Sequence, residues 1–440
     1  MKACHWVIAC AFIFNSSSGV AQAVYFDKTF NVGNNQEVGW SVLILPDSSY
    51  ITLSNGADFF SGDGSYSLSF FSFEGNIVDN KIYKTNFSFP YVGFCNTLLT
   101  LPDSNGYIFA GSIEDNATGD SDNILVKFNN SGDTIFVKEY ASTDYEALYG
   151  DVLTHDDYIL GIGFKGPYSE SKDVLLMKLD TNGNLIWQKT YGGTETDLGY
   201  SIFEFKPFEY VIGGVKIFNG TNANPWIIVT DSSGTIIKEK EFLEPFYSCA
   251  IFLYLTLDNK YLMSTCVDTV INPGDFDRPA CILKLDTNFN VIWKAILNDH
   301  LNNGLYIIKQ LADSSIIFTG FQEGGNPNAP EGWIGKLDKN GNKLWEHQYR
   351  HDNSLANYFS DFEQTTDGGF IITGSTYGPT GQDMWLVKLD SMGCLEPCAT
   401  NTGTFETTDN TISLQCYPNP ARSQTSVLYN IPESGSEASI

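Results

Sequence analysis

Metal and nucleophile chemistry is sought first at histidine, whose ring binds metals and titrates near neutrality. Beyond the first 23 residues the chain holds His155, His300, His347 and His351. His347 and His351 are four apart, a chelating spacing on a helix, but they lie in LWEHQYRH, which reads as an outer strand. There four residues separate side chains by roughly 13 Å, too far for one zinc ion. The segments Asp180-Thr181-Asn182-Gly183-Asn184 and Asp338-Lys339-Asn340-Gly341-Asn342 offer oxygens of the kind that hold calcium. Their glycine is fourth rather than sixth and no closing glutamate follows, so a hairpin turn is the better reading. No G-x-S-x-G elbow, H-E-x-x-H pair or P-loop occurs. The expectation is therefore no catalytic constellation, no cofactor and no metal. The remaining candidates are acids placed before predicted inner strands: Glu146, Asp151, Glu195 and Asp197. Paired carboxylates there could serve a hydrolase or lyase acting on polysaccharide.

Those acids must be positioned by a repeat. An aromatic or β-branched residue opens an apolar strand ending in a small residue at Tyr50, Tyr107, Tyr158, Tyr210, Tyr261, Ile316 and Phe370. The spacing ranges from 51 residues (Tyr107 to Tyr158) to 57 (Tyr50 to Tyr107). A second pattern alternates with it: an apolar strand with a lysine, a turn of Asp or Asn and Gly, then a strand that often holds Trp. It occurs around Lys127, Lys178, Val229, Lys284, Lys336 and Lys388, with a shortened copy at Leu68 to Val78. Asn-Gly and Ser-Gly between apolar strands are strong hairpin signals. Each period thus holds four strands, and such units repeated several times predict an all-β fold, a seven-bladed β-propeller. Trp187, Trp293 and Trp345 recur at one repeat position and read as packing between adjacent blades.

The last hairpin lacks its second strand, because Pro397 interrupts it. The segment from Val24 to Phe30 matches the missing strand, so the N-terminus is expected to pair beside Asp383 to Asp390 and close the ring.

The ends carry other signals. Lys2, the apolar run Trp6 to Phe14 and the small-x-small triplet Ala21-Gln22-Ala23 read as a signal peptide spanning residues 1–23, cleaved after Ala23. The run is too short to span a membrane. A competing lipobox at Val7-Ile8-Ala9-Cys10 places its cysteine inside the apolar run. Cleavage leaves Cys95, Cys249, Cys266, Cys281, Cys394, Cys398 and Cys416, an odd number, with no paired C-x-x-C zinc pattern. In an oxidising compartment the candidate disulfides are Cys266–Cys281, flanking one hairpin loop, and Cys394–Cys398. The net charge of −27 argues against nucleic acid as a partner.

After the propeller at 24–398, residues 399–411 form a polar linker of Thr and Asn. Residues 412–440 contain Tyr417-Pro418-Asn419-Pro420-Ala421 followed by an alternating strand at Thr425 to Tyr429. This segment resembles the start of the C-terminal sorting domain of type IX secretion cargo of Bacteroidota. The resemblance implies a truncated sorting domain, a partnership with the type IX secretion machinery, and release or attachment at the cell surface. The Asp, Gly and Trp of the hairpins resemble the tryptophan-docking repeats of quinoprotein dehydrogenases, which also serve structure alone. The function expected is a binding or interaction module for a protein or glycan, with the polysaccharide enzyme as the alternative.

Overall fold

The computed structural model describes residues 24–396, apart from 32–35, 58–63, 86–88, 95–96, 103–104, 116–119, 219–221, 244–245, 248–250, 268–278, 298–302, 324–328, 353 and 379–380, together with 414–417 and 426–429. The expected signal peptide, the expected linker, His300 and Cys398 lie outside these residues. The described chain is all-β, with antiparallel four-stranded sheets following one another in sequence. No described helix is long and apolar enough to cross a membrane.

The unit of Tyr158 shows the plan. Its strands Tyr145–Leu153, Tyr158–Gly166, Asp173–Asp180 and Leu185–Tyr191 pair in chain order. The unit of Tyr210 repeats it with Asp197–Lys206, Glu209–Phe218, Asn222–Thr230 and Ile236–Glu241. In the units of Tyr107 and Tyr261 two short segments share the innermost position: Phe89–Tyr91 with Leu99–Thr100, and Phe246–Tyr247 with Leu253–Leu255. The two middle strands of each unit are buried on both faces, hence their near-continuous apolar runs. Their side chains pack between consecutive units, as where Val211, Ile227 and Val229 meet Tyr261, Met263 and Leu283. Each such side chain contributes about 1.5–3 kcal/mol by leaving water.

The hairpin turn repeats as a fixed hydrogen-bond device. Asp180 Oδ1 accepts from the amides of Asn182 and Asn184, and Asp231, Asp286, Asp338 and Asp390 act alike. The fourth turn residue is left-handed: Gly183 has φ 76°, Gly234 74° and Gly341 86°, and Phe289 takes the place at 63°.

Each outermost strand docks on the next unit's turn. A methyl at Gly234 would lie 3.0 Å from the Trp187 ring, and Trp293 and Trp345 abut Gly341 and Gly393 in the same way. Four residues beyond the docking position, Tyr140 Oη donates to Gly183 O at 2.9 Å and Tyr191 Oη to Gly234 O at 2.7 Å. A lysine opposite the docking residue (Lys178 opposite Trp187, Lys284 opposite Trp293, Lys336 opposite Trp345) is a repeat feature, buried at Lys178 and Lys284 and half-buried at Lys336. It points to an aspartate in its own unit's first turn, as Lys284 to Asp258 at 3.1 Å and Lys388 to Asp367 at 3.0 Å.

The N-terminal strand Phe26–Phe30 pairs antiparallel with Gly381–Leu389, from Phe26 opposite Lys388 to Phe30 opposite Met384. Phe26 abuts Gly75 in the turn of the Tyr50 unit, and Lys28 Nζ donates to Glu74 O at 2.8 Å and Gly75 O at 3.2 Å. One parallel bridge, Gln36 with Gln382, joins the units of Tyr50 and Phe370 into an 8-stranded sheet. Separately, Leu414–Tyr417 and Ser426–Tyr429 form a two-stranded ribbon.

One expectation is corrected. Cys281 is a buried free thiol, whereas Cys266 and Cys394 are each disulfide-bonded. Cys281 pairs with Thr265 and Cys266 with Ala280. This one-residue offset sends the two cysteines to opposite faces of the sheet, so they cannot bond.

Candidate functional site

The innermost strands share a bulge. One extra residue interrupts the register at Trp40, Tyr149, Tyr200, Tyr306 and Ser360. The kinked strand lies so close to the second strand that the motif glycine is obligatory there. A methyl at Gly163, Gly320 or Gly374 would strike the carbonyl oxygen of Ala147, Gly304 or Tyr358.

Three residues before each bulge stands a buried polar group: Glu37, Glu146, Asp197, Asn303 and Asn357. Three of these hold nearby backbone. Asp197 Oδ2 accepts from Gly193 N at 3.0 Å, Asn357 Oδ1 from His351 N at 3.1 Å, and Asn303 Oδ1 from the Ala280 amide. Two of the sequence candidates therefore occupy one repeat position. Glu146 is ion-paired with Lys165 at 2.6 Å, and burial raises its pKa against that lysine's opposing pull. Asp151 is a buried carboxylate on the same strand as Glu146; Oδ2 accepts from Ala110 N at 2.7 Å, and Oδ1 has no hydrogen-bond partner among the described residues. Burial raises its pKa well above the ordinary carboxylate value. Glu195 is exposed and meets Asp197 only at the wall of a cavity. Glu146 and Asp197 stand on the innermost strands of two different sheets.

Asp361, which the sequence analysis did not single out, is fully buried just after the bulge of the Phe370 unit. Its Oδ2 accepts from Val42 N at 3.0 Å, and Lys309 Nζ lies 3.4 Å from Oδ1. Lys309 also reaches Glu363 at 2.7 Å and Phe362 O at 2.6 Å. Burial pushes the Asp361 carboxyl up against the lysine's pull.

The bulge residues also form a feature not anticipated from sequence. Trp40 meets Phe94 edge-on at 5.5 Å, Phe94 meets Tyr149 at 4.7 Å, and Tyr149 stacks on Tyr200 at 5.4 Å. Tyr200 contacts Phe252 at 6.1 Å, Tyr254 Oη donates to Tyr306 O at 3.0 Å, and the Tyr306 ring returns to Trp40 at 6.2 Å. Ser360 holds the same bulge position in the Phe370 unit. From this belt a branch of rings leads outward through Phe164 and Tyr145 to Tyr168, which is 69% exposed. Such rings offer flat apolar faces with polar edges, suited to sugar or peptide ligands. The available signal was an aromatic nine or ten residues before the repeat's opening residue, as Trp40 before Tyr50 and Tyr200 before Tyr210.

Among the described residues, a cavity of about 480 Å³ opens at the end of the Tyr210 unit, lined by Gly193, Glu195, Asp197, Lys216, Asn224 and Glu241, among others. The turn aspartates offer little to calcium, because both oxygens of Asp180, Asp286 and Asp338 already accept hydrogen bonds. A His155, Asp156 and Glu204 group has ligand atoms within 4.8 Å of one another, but Glu204 already accepts from the amides of His155 and Phe208. His347 Nε2 faces Met392 O and His351 Nδ1 faces Asp27, so the two rings serve separate contacts.

No protein-family model and no curated protein matches this chain. Solved structures match at low identity. The polysaccharide lyase Uly1 is 8% identical, with TM-score 0.49, over 86% of this chain and 94% of that one. The β-propeller domain of the trilobed protease from Pyrococcus furiosus is 11% identical, with TM-score 0.46, over 82% and 93%. A protein of unknown function from Bacteroides caccae is 10% identical, with TM-score 0.40, over 61% and 87%. The strand order described above, consecutive four-stranded antiparallel sheets packed face to face, is the architecture of a β-propeller.

Proposed function

We propose that this chain is a seven-bladed β-propeller, closed by its N-terminal strand, that acts as a binding module for a protein or glycan and not as an enzyme. Closure is supported by Phe26 and Lys28, which make to the Gly75 turn the contacts that docking residues and lysines make elsewhere in the repeat. The contact of the Trp40 ring with Tyr306, between the units of Tyr50 and Ile316, supports it further.

One observation carries the binding reading: three of the buried carboxylates, two of them candidates from the sequence, are engaged in holding the fold. Glu146 is matched by Lys165, Asp197 by the Gly193 amide, and Asp361 by Val42 N and Lys309. A glycosidase needs two carboxyls on either side of one bond, one of them free to give a proton. The aromatic belt and its branch to Tyr168 supply contact area in place of that pair.

The export reading joins this proposal: cleavage after Ala23, the resemblance of 412–440 to a type IX sorting domain, and a place outside the cell or on its surface. The test is a glycan array and a protein pull-down on residues 24–398, run beside a polysaccharide-hydrolysis screen. Saturable binding without product supports the proposal. Turnover abolished by Asp197→Asn or Glu146→Gln would replace it with the enzyme.

A further inference from the structure

The cavity on the Tyr210 unit is lined by three carboxylates and a lysine. Its floor is Asp197, only 3% exposed, whose carboxylate receives one hydrogen bond among the described residues, from the Gly193 amide. Glu195 and Glu241 line the walls. Asp173 lies behind, since a methyl at Gly192 would strike both the Asp173 and Asp197 carboxylates. Lys216, the one basic residue among the described lining, is held against the wall: its Nζ lies 4.2 Å over the Trp226 ring and 3.9 Å from Glu241. Asn224 Nδ2 donates to Glu241 Oε1 at 2.6 Å and fixes that carboxylate. Ile217 and the exposed Leu243 give the cavity an aliphatic side, and Gly193 has open space above it.

We propose that this cavity binds an organic cation, the ammonium or guanidinium group of a basic side chain presented by a protein partner. The volume lies within the range of small-ligand sites, about 300–1,000 Å³. A cation entering beside Asp197 returns the stabilisation that its buried carboxylate lost on leaving water. The aliphatic wall suits the methylene stem of lysine or arginine. Three carboxylates around one tethered lysine leave the lining net negative, and the chain's charge of −27 draws cations toward it. A bare metal ion fits less well, because these carboxylates are not among the described groups whose oxygens lie within 4.8 Å of one another.

Protonation sets the working range. Burial pushes Asp197 up to about 6; Asp173 and Glu241 add to the shift and Lys216 opposes it. Binding should therefore weaken as pH falls through that value.

This inference rests on the binding-module reading, but its test is separate. The mature chain is titrated calorimetrically with Nα-acetyl-lysine amide, its arginine counterpart, norleucine amide, spermidine and Ca²⁺. Saturable binding of the lysine and arginine compounds but not norleucine is expected, weakened about tenfold or more by Asp197→Asn and by Glu241→Gln, and at pH 5. Asn at 197 keeps the acceptor for Gly193, and Glu241→Gln serves if that variant unfolds. A lysine-bearing peptide binding more tightly than spermidine identifies a protein source; spermidine binding more tightly overturns the partner assigned. Absent cation binding, equal binding of norleucine amide, or displacement by Ca²⁺ overturns the site itself. A ligand found elsewhere on the molecule by the array would leave the binding-module reading standing.

Discussion

Replacing Phe26 with alanine tests the closure contact where it is most concentrated. Phe26 is 7% exposed, its ring lies against Gly75, and Tyr50 is 6.5 Å away. Removing a buried phenylalanine side chain costs about 3–5 kcal/mol, from lost transfer energy and from the cavity left behind. Unfolding entropy of about 2.1 cal/mol/K per residue, over roughly 370 folded residues, gives ~0.8 kcal/mol/K. The midpoint should therefore fall by about 4–6 °C for a cooperative ring. Val78, 70% exposed on an outer strand, is the control; its alanine variant should change stability by less than about 0.5 kcal/mol. Differential scanning calorimetry reads both. A Phe26→Ala midpoint within about 1 °C of wild type would show that the N-terminal strand does not hold the sheets together. A separate early transition would show that closure is local rather than cooperative.

Other outcomes follow from single contacts. Gly234→Ala should destabilise the protein by at least about 1 kcal/mol in denaturant unfolding, because φ is 74° and Trp187 stands against the site; a neutral result would refute the docking account. Asp151 binds its proton more tightly folded than unfolded, so its contribution to stability falls as pH rises from its unfolded pKa, about 3.9, to its raised folded value. Asp151→Asn should therefore gain on wild type as pH rises above about 4 in urea titrations; a pH-independent difference would contradict the burial argument. Cys281 should react with a thiol reagent only on unfolding, since burial pushes its thiol up to about 12; rapid labelling of the native protein would count against this. Chains 24–398 and 24–440 should melt within a few degrees of each other, and a drop of more than about 5 °C on removing the tail would make the tail part of the fold.

The repeat was legible because its signals are local. A tyrosine strand, a lysine strand and an Asn-Gly turn need only their neighbours, and the Phe26–Phe30 strand showed itself as the piece the last hairpin lacked. What escaped was set by register. The bulge at Trp40, Tyr149, Tyr200 and Tyr306 turns aromatic side chains into a belt, and nothing local announces an extra residue in an innermost strand. The same bulge places Glu146 and Asp197 at one buried position, where sequence shows only two acids among many. Cys266 and Cys281 looked like partners because they flank a loop, yet a one-residue register offset turns them to opposite faces. The repeat lysines gave no reason for themselves until Lys284 and Lys388 were seen against Asp258 and Asp367.

The chemical fate of a bound ligand separates a binding module from an enzyme. A glycan or peptide captured by the mature chain is incubated with it in excess, then recovered and weighed by mass spectrometry. The ligand should return intact, with affinity weakened by Tyr168→Ala or Tyr200→Ala and with no new ends formed. Cleaved ligand, with cleavage lost in Asp197→Asn or Glu146→Gln while binding persists, would contradict the binding reading and make those carboxylates catalytic.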